Sequence, residues 1–216
     1  MGIISRFPAG ATKPYIEEIY NSDGQLIDAK MYGYEAIRDN AFYYCTNLAL
    51  TTLPSGITSI GNSAFAGCTS LALTTLPSGI THIGDFAFSD CYNLALTTLP
   101  SGITSIGANA FESCSSLALT SLPSGITNIG AGAFAGCTNL ALTTLPSGIT
   151  SIDDYAFVEC SSLVSLTFEG TPENIGGSTF AGCDNLTTIN VPWAEGAVAN
   201  APWGAENATI NYGYTG

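Results

Sequence analysis

Seven cysteines and a single histidine are the residues of this sequence best suited to nucleophilic or metal chemistry. Their placement limits what they can do. Cys45, Cys68, Cys91, Cys114, Cys137, Cys160 and Cys183 follow one another at a constant interval of 23 residues. A zinc site needs Cys or His ligands grouped within a few positions, whereas there is no C-x-x-C and only His82. An odd number of cysteines prevents complete pairing. The better reading is a small apolar thiol filling one repeated core slot. His82 occupies the position held by Ser59, Ser105, Asn128 and Ser151 in sister units, as a replaceable surface residue would. Serine-type chemistry would therefore have one base to draw on, and neither a G-x-S-x-G elbow nor a Gly-Lys phosphate loop is present. The carboxylates Asp85, Asp90, Glu112, Asp153, Asp154, Glu159, Glu169 and Glu173 are scattered, with Asp153-Asp154 the one adjacent pair in the repeats. Two carboxylates acting on a sugar need a cleft between them, which a regular stack does not make. No catalytic residue, metal or cofactor is expected.

The elements that position these residues are themselves repeated. A Phe precedes each Cys by three (Phe42, Phe65, Phe88, Phe111, Phe134, Phe157, Phe180), a Leu follows each by three, and an Ile precedes each Phe by five. A fixed period in this range, with apolar residues at constant places, defines a solenoid whose units bury their apolar side only against neighbours. Within one unit, Leu71–Leu76 is rich in Leu and Thr and ends at Pro77-Ser78-Gly79, which suits a short strand closed by a turn. The segment 61–68 fits one helical or 3-10 turn on the opposite side. Seven stacked units would be roughly 35 Å long.

Composition narrows the partners. The chain has 216 residues, 46% of them hydrophobic, with 24 Gly and 10 Pro, which describes a folded, turn-rich protein rather than a disordered one. It carries 17 acidic against 4 basic residues, a formal charge of −13, and its cations are Arg6, Lys13, Lys30 and Arg38. Nucleic acid and anionic membrane surfaces need clustered Lys and Arg, so neither is an expected partner. No apolar run reaches the roughly 18 residues of a membrane span. The start Met1–Pro8 is too short and too interrupted, at Arg6, for a signal peptide, and it lacks the pattern for myristoylation.

At the level of motif, Leu-x-x-Leu-x-Leu-Pro followed by Ile, Ile-Gly and Ala-Phe-x-x-Cys resembles the BspA-like, or Treponema pallidum-type, leucine-rich repeat family over roughly Tyr34 to Pro192. The resemblance implies an α/β-type repeat solenoid: a leucine-rich repeat with seven 23-residue rungs, a parallel sheet on one face and short helical or 3-10 turns on the other. The sixth and seventh units fit best, with Leu163, Leu166 and Phe168, then Leu186, Ile189 and Val191. In the first five, the middle apolar place is Thr51, Thr74, Thr97, Thr120 or Thr143, and an extra leucine precedes it at Leu50, Leu73, Leu96, Leu119 or Leu142. Two readings follow. In the family register these leucines lie on the open sheet face as an apolar patch. With a bend at each Thr-Thr pair they turn into the core. Under both, Thr52, Thr75, Thr98, Ser121 and Thr144 point outward. These ten residues form the candidate binding face.

Open solenoid ends require covers. Residues 1–33 read as an N-terminal arm and hairpin, with strands at Tyr15–Tyr20 and Gln25–Ala29 around the loop Asn21–Gly24; 34–192 as the solenoid; and 193–216 as a C-terminal cap. In that cap Trp193 and Trp203 pack, and Ala208–Tyr212 adds a last strand. Conservation of the strand and turn among the five like units, against variation at Tyr43-Tyr44, Ala66-Gly67, Ser89-Asp90, Glu112-Ser113 and Val158-Glu159, makes one face uniform and the turn side individual. The resemblance implies adhesion: a non-enzymatic module at the bacterial cell surface or outside it, binding a protein or glycan on a host or neighbouring cell. Self-association stays open. A second reading is a phage or prophage virion component, since the tail is similar to endings of short leucine-rich prophage proteins. An ice-binding threonine array is a third.

Overall fold

The computed structural model describes residues 15–216, so the expectations placed on Met1–Pro8 and on Arg6 and Lys13 lie outside the described residues. Each 23-residue unit closes one coil, and successive coils stack. The strands, in chain order, are β1 (Tyr15–Tyr20), β2 (Leu26–Tyr32), β3 (Ala36–Ile37), β4 (Ser59–Ile60), β5 (His82–Ile83), β6 (Ser105–Ile106), β7 (Asn128–Ile129), β8 (Thr144–Leu145), β9 (Ser151–Ile152), β10 (Ser165–Phe168), β11 (Asn174–Ile175), β12 (Thr188–Val191) and β13 (Thr209–Tyr212).

The longest sheet is not the one expected. Seven two-residue strands pair in parallel in the order β11-β9-β7-β6-β5-β4-β3, which places the isoleucines from Ile37 to Ile175 in register along one edge of the core. A glycine follows the isoleucine in most coils because the chain there lies against the preceding coil. A Cβ at Gly107 would stand 2.6 Å from the carbonyl carbon of Gly84.

The segment expected to carry the main sheet, Leu71–Leu76 and its copies, contains no strand in the first four coils. A single bond per step joins neighbours there, Ala72 N–H to Leu50 C=O at 3.0 Å and its equivalents at Ala95, Ala118 and Ala141. Regular pairing on this side is confined to the far end, in the four-stranded order β13-β12-β10-β8. Side-chain direction is the cause. Leu71 and Leu73 point inward, then Thr74 and Thr75 both point to solvent. Two successive outward residues break the alternation that a pleated strand requires. The bend reading therefore holds, and Leu50, Leu73, Leu96, Leu119 and Leu142 are all buried at 4% exposure or less.

The helical or 3-10 side is corrected as well: there is no helix among the described residues. Segment 62–67 is a chain of turns in which amide groups alternate in direction. Ser63, Phe65 and Gly67 donate forward to the carbonyls of Asp85, Ala87 and Ser89 in the next coil at 2.8 Å each, while Ala64, Ala66 and Cys68 donate three residues back at 3.0–3.3 Å. A helix would need every amide for itself. Positive φ at Ser63 (51°) and Gly67 (73°) turns the chain so that half its donors face the neighbour.

Inside, the seven Phe rings form one file with centroids 5.2–5.5 Å apart and planes within 4–8° of parallel. That offset stacking is favourable, and the coil repeat imposes it. At the N-terminal end, β1 and β2 form an antiparallel hairpin whose turn is fastened by the Asn21 carboxamide oxygen, accepting from the Asp23 and Gln25 amides at 3.0 and 2.9 Å. The Ile27 carbonyl accepts from Ala49 at 2.9 Å, the bond that Leu50 and Ala72 repeat, so β2 occupies the place of a preceding coil. At the other end the winding continues beyond the seven units. Ala205 donates to Pro202 and Ala208 to Ala205, copying the bonds Cys68–Phe65 and Leu71–Cys68. An eighth coil is thus present, with Pro202, Ala205 and Ala208 in the places of Phe, Cys and Leu.

Candidate binding face

The uniform side of the stack is built from the bend just described. Beneath it, the two leucines of each coil are in the core and hold the Thr-Thr pair rigidly above them. Thr52, Thr75, Thr98 and Ser121 are exposed, one per coil, with Thr51, Thr74, Thr97 and Thr120 exposed beside them. Thr144 is half-buried, because β8 is paired with β10 at Thr167. The candidate face thus keeps its hydroxyl column and loses its leucine column. Its five leucines are a floor that no partner reaches.

A second threonine column flanks the isoleucine sheet. Thr58, Thr81, Thr104, Thr127 and Thr150 are exposed. The Thr58, Thr127 and Thr150 hydroxyls donate to the carbonyls of Glu35, Thr104 and Thr127, one coil earlier, at 2.9, 3.1 and 3.0 Å. These hydroxyls bind the coils together. Beside them runs a ladder that sequence reasoning missed: the Oδ1 atoms of Asp39, Asn62 and Asp85 accept the amides of Asn62, Asp85 and Ala108 at 2.7, 2.9 and 2.8 Å. The recurrence of Asp or Asn two places after Ile37, Ile60 and Ile83 was its visible signal.

The residues first considered for chemistry do not converge. Each thiol from Cys68 to Cys183 donates to the carbonyl of the Phe one coil earlier, at 2.9–3.1 Å. Burial pushes the Cys68 thiol up to about 12 and that of Cys183 up to about 11, and raises Cys91, Cys114, Cys137 and Cys160 further. Thiols held neutral in this way are neither nucleophiles nor metal ligands. Among the described residues no group of three His, Cys, Asp or Glu could hold a metal. His82 is exposed and lines a shallow groove with Arg38, Asp39, Ser59 and Asn62. The Asp153 carboxylate accepts from the Ser151 hydroxyl at 2.9 Å, and Asp154 faces solvent. Trp193 and Trp203 are buried, packed on Phe168 and on each other. Exposed aromatics include five on the turn side, Tyr43, Tyr44, Phe86, Tyr92 and Tyr155, besides Tyr32 and Tyr214 toward the ends. No helix among the described residues is long and apolar enough to cross a membrane.

Coils at a 23-residue period, a Phe file, an isoleucine sheet and an outward hydroxyl column define a leucine-rich repeat solenoid. The family model of the BspA type leucine rich repeat region matches it in six copies, over residues 35–163 and 118–196. The chain belongs to this family. It is similar to the T. pallidum leucine rich repeat protein, with 31% identity and a TM-score of 0.62 over 84% of this chain and 91% of that one. It also resembles a leucine-rich repeat protein from Bacteroides ovatus (18% identity, TM-score 0.48, 98% of this chain and 75% of that one). A third likeness is to a leucine rich cell surface protein from Faecalibacterium prausnitzii (19%, TM-score 0.40, 97% and 96%). A search of curated proteins returns no match.

Proposed function

We propose that the chain is a non-enzymatic binding module that presents its coils to a protein on a host or neighbouring cell, in adhesion at a bacterial surface. Membership of a repeat family that is generally non-enzymatic supports the reading. The observation that carries it is the outward column Thr52, Thr75, Thr98 and Ser121, fixed above leucines that are wholly inside. A surface whose pitch is set by a packed core is preorganised, so little ordering entropy opposes contact with an extended partner.

The test is saturable adhesion of the immobilised chain to a panel of matrix proteins and intact cells. Replacing Thr52, Thr75, Thr98 and Ser121 together by Lys should abolish binding while leaving the fold intact, because all four side chains are in solvent. No adhesion to any surface would sink the reading, and so would a hydrolytic activity removed by His82→Ala. A closed symmetric oligomer that adheres to nothing would instead favour a structural role in a virion.

A further inference from the structure

The turn side carries an exposed aromatic at a coil position whose backbone favours glycine. Gly67, Gly136 and Gly182 share a coil position with positive φ, held in the other coils by Asp90, Ser113 and Glu159 at φ 59° and, in the first, by the bulkier Tyr44 at φ 55°. A bulky side chain is strained there. The ring gains little burial in return, since it is 60% exposed. It lies flat on the next coil, where a Cβ at Gly67 would be 3.0–3.2 Å from three of its carbons. Tyr43, 53% exposed, packs edge-on against it with centroids 4.6 Å apart. One coil beyond Gly67, in the same column, is Asp90, whose Oδ1 accepts from the Tyr92 hydroxyl at 3.1 Å. That bond raises the Tyr92 phenol above its ordinary value, and the charge of Asp90 and then the Tyr44 phenol add to it. Three exposed tyrosines and a carboxylate therefore share one patch across three coils.

The electrostatics select what fits. Tyrosine faces attract cations through the ring quadrupole, and a carboxylate is an acceptor only. The chain has no Lys or Arg after Arg38, so none of the coils that follow, those of Asp90 and Tyr92 included, supplies such a cation. A guanidinium can stack on an aromatic face and fork to a carboxylate at once. A neutral sugar would use the rings and gain nothing from the acidic field. We propose that Tyr43, Tyr44, Asp90 and Tyr92 form a docking site for an arginine-bearing segment of a protein partner. This rests on the binding-module reading and names its partner's chemistry.

The double variant Tyr43→Ala/Tyr44→Gly tests it. It writes into the first coil the Ala-Gly pair that Ala66-Gly67, Ala135-Gly136 and Ala181-Gly182 already carry, so the fold is retained and its melting temperature should be equal or higher. The probes are a short oligo-arginine peptide, the same peptide with citrulline for arginine, and maltoheptaose, each titrated at about 0.15 M salt. The expected result is binding of the arginine peptide alone, weakened about five- to tenfold in the double variant. The surface control Asp154→Asn/Glu173→Gln, which removes charge elsewhere, should weaken it less than about twofold. Equal binding by wild type and double variant would make the attraction generic charge and overturn the site. Tyrosine-dependent binding of maltoheptaose in place of the peptide would overturn it in favour of a glycan. Cell and matrix adhesion that survives the double variant would remove this site from the adhesive surface and leave the module reading standing.

Discussion

The thiol of Cys114 donates to the carbonyl oxygen of Phe88 one coil earlier, at 3.0 Å, and that carbonyl also accepts the Cys91 amide at 3.1 Å. Every thiol from Cys68 to Cys183 repeats the arrangement, whereas Cys45 is half-buried at the start of the file. A soluble disulfide reagent should therefore label one thiol in the native protein, Cys45, and all seven after unfolding. Mass mapping of the labelled sites checks this, and a second rapidly modified cysteine would show that the coils open.

Those thiols also make stability depend on pH in one direction. Cys68 is raised to about 12 and Cys183 to about 11 from an ordinary 9.0, chiefly by burial. The unfolded chain loses these protons near pH 9 and the folded chain keeps them, so the folded state binds more protons across that window. Stability is fully present below about pH 9 and falls as pH rises toward the folded values, each thiol contributing at most about 1.4 kcal/mol per pH unit. Urea midpoints should be level near neutrality and drop steeply above about pH 9. Cys137→Ala should lower stability at neutral pH by about 1–2 kcal/mol and make the alkaline fall shallower.

The bend at each Thr-Thr pair separates two neighbouring positions by burial alone. Leu73 has no exposure and Thr75 is in solvent. Leu73→Ala should cost about 2–5 kcal/mol by denaturant unfolding, and Thr75→Ala less than about 0.5 kcal/mol. Similar costs at both would return the leucine to the surface.

This pair also marks where the sequence stops being legible. The Phe, Cys and Ile files could be read directly, because side chains of one type at one interval can only stack. Leu71–Leu76 could not, since its pattern fits a pleated strand or a bend until the direction of Leu73 is known. Residues 61–68 read as one helical or 3-10 turn, being a short stretch with an Ala-Phe pair and small polar residues, yet bonds between coils outrank that local pattern. The eighth coil was hidden because Pro202, Ala205 and Ala208 share the backbone path but not the residue types. The hydroxyl column was readable, while the patch at Tyr44 and Asp90 needed the knowledge that residues 23 and 46 positions apart lie in one file.

Two glycines in similar sequence contexts should behave oppositely. A Cβ at Gly107 would meet the backbone of Gly84 and Asp85 at 2.6–2.7 Å, whereas at Gly125 its nearest neighbours are carbonyl oxygens at 3.7–3.8 Å. Gly107→Ala must push two coils apart and should cost about 1–3 kcal/mol. Gly125→Ala should be neutral or stabilise by up to about 1 kcal/mol, through the lost freedom of the unfolded chain. Asp153 takes the same column position in the sixth coil, which therefore already accommodates a Cβ there, and Asp153→Gly should cost little. Thermal melts of the three variants rank these effects directly.

The last coil has Pro202 and Ala208 where the others have a Phe and a Leu, and two indoles, Trp193 and Trp203, are buried at this end. Trp203 is fully buried and its Nε1 donates to the Ala199 carbonyl at 2.7 Å. Trp193 is 6% exposed and its Nε1 is buried without a hydrogen-bond partner. Both rings pack on Phe168, so replacing either by Phe removes a comparable apolar area. The polar atom makes the difference. Trp203→Phe deletes a made bond, worth about 0.5–1.5 kcal/mol, and Trp193→Phe deletes an unmet donor whose burial was unfavourable. Trp203→Phe should thus be the more destabilising by about 1 kcal/mol or more in urea unfolding. A larger loss at Trp193 would mean that its indole N–H has a partner after all, such as an ordered water within the end coil.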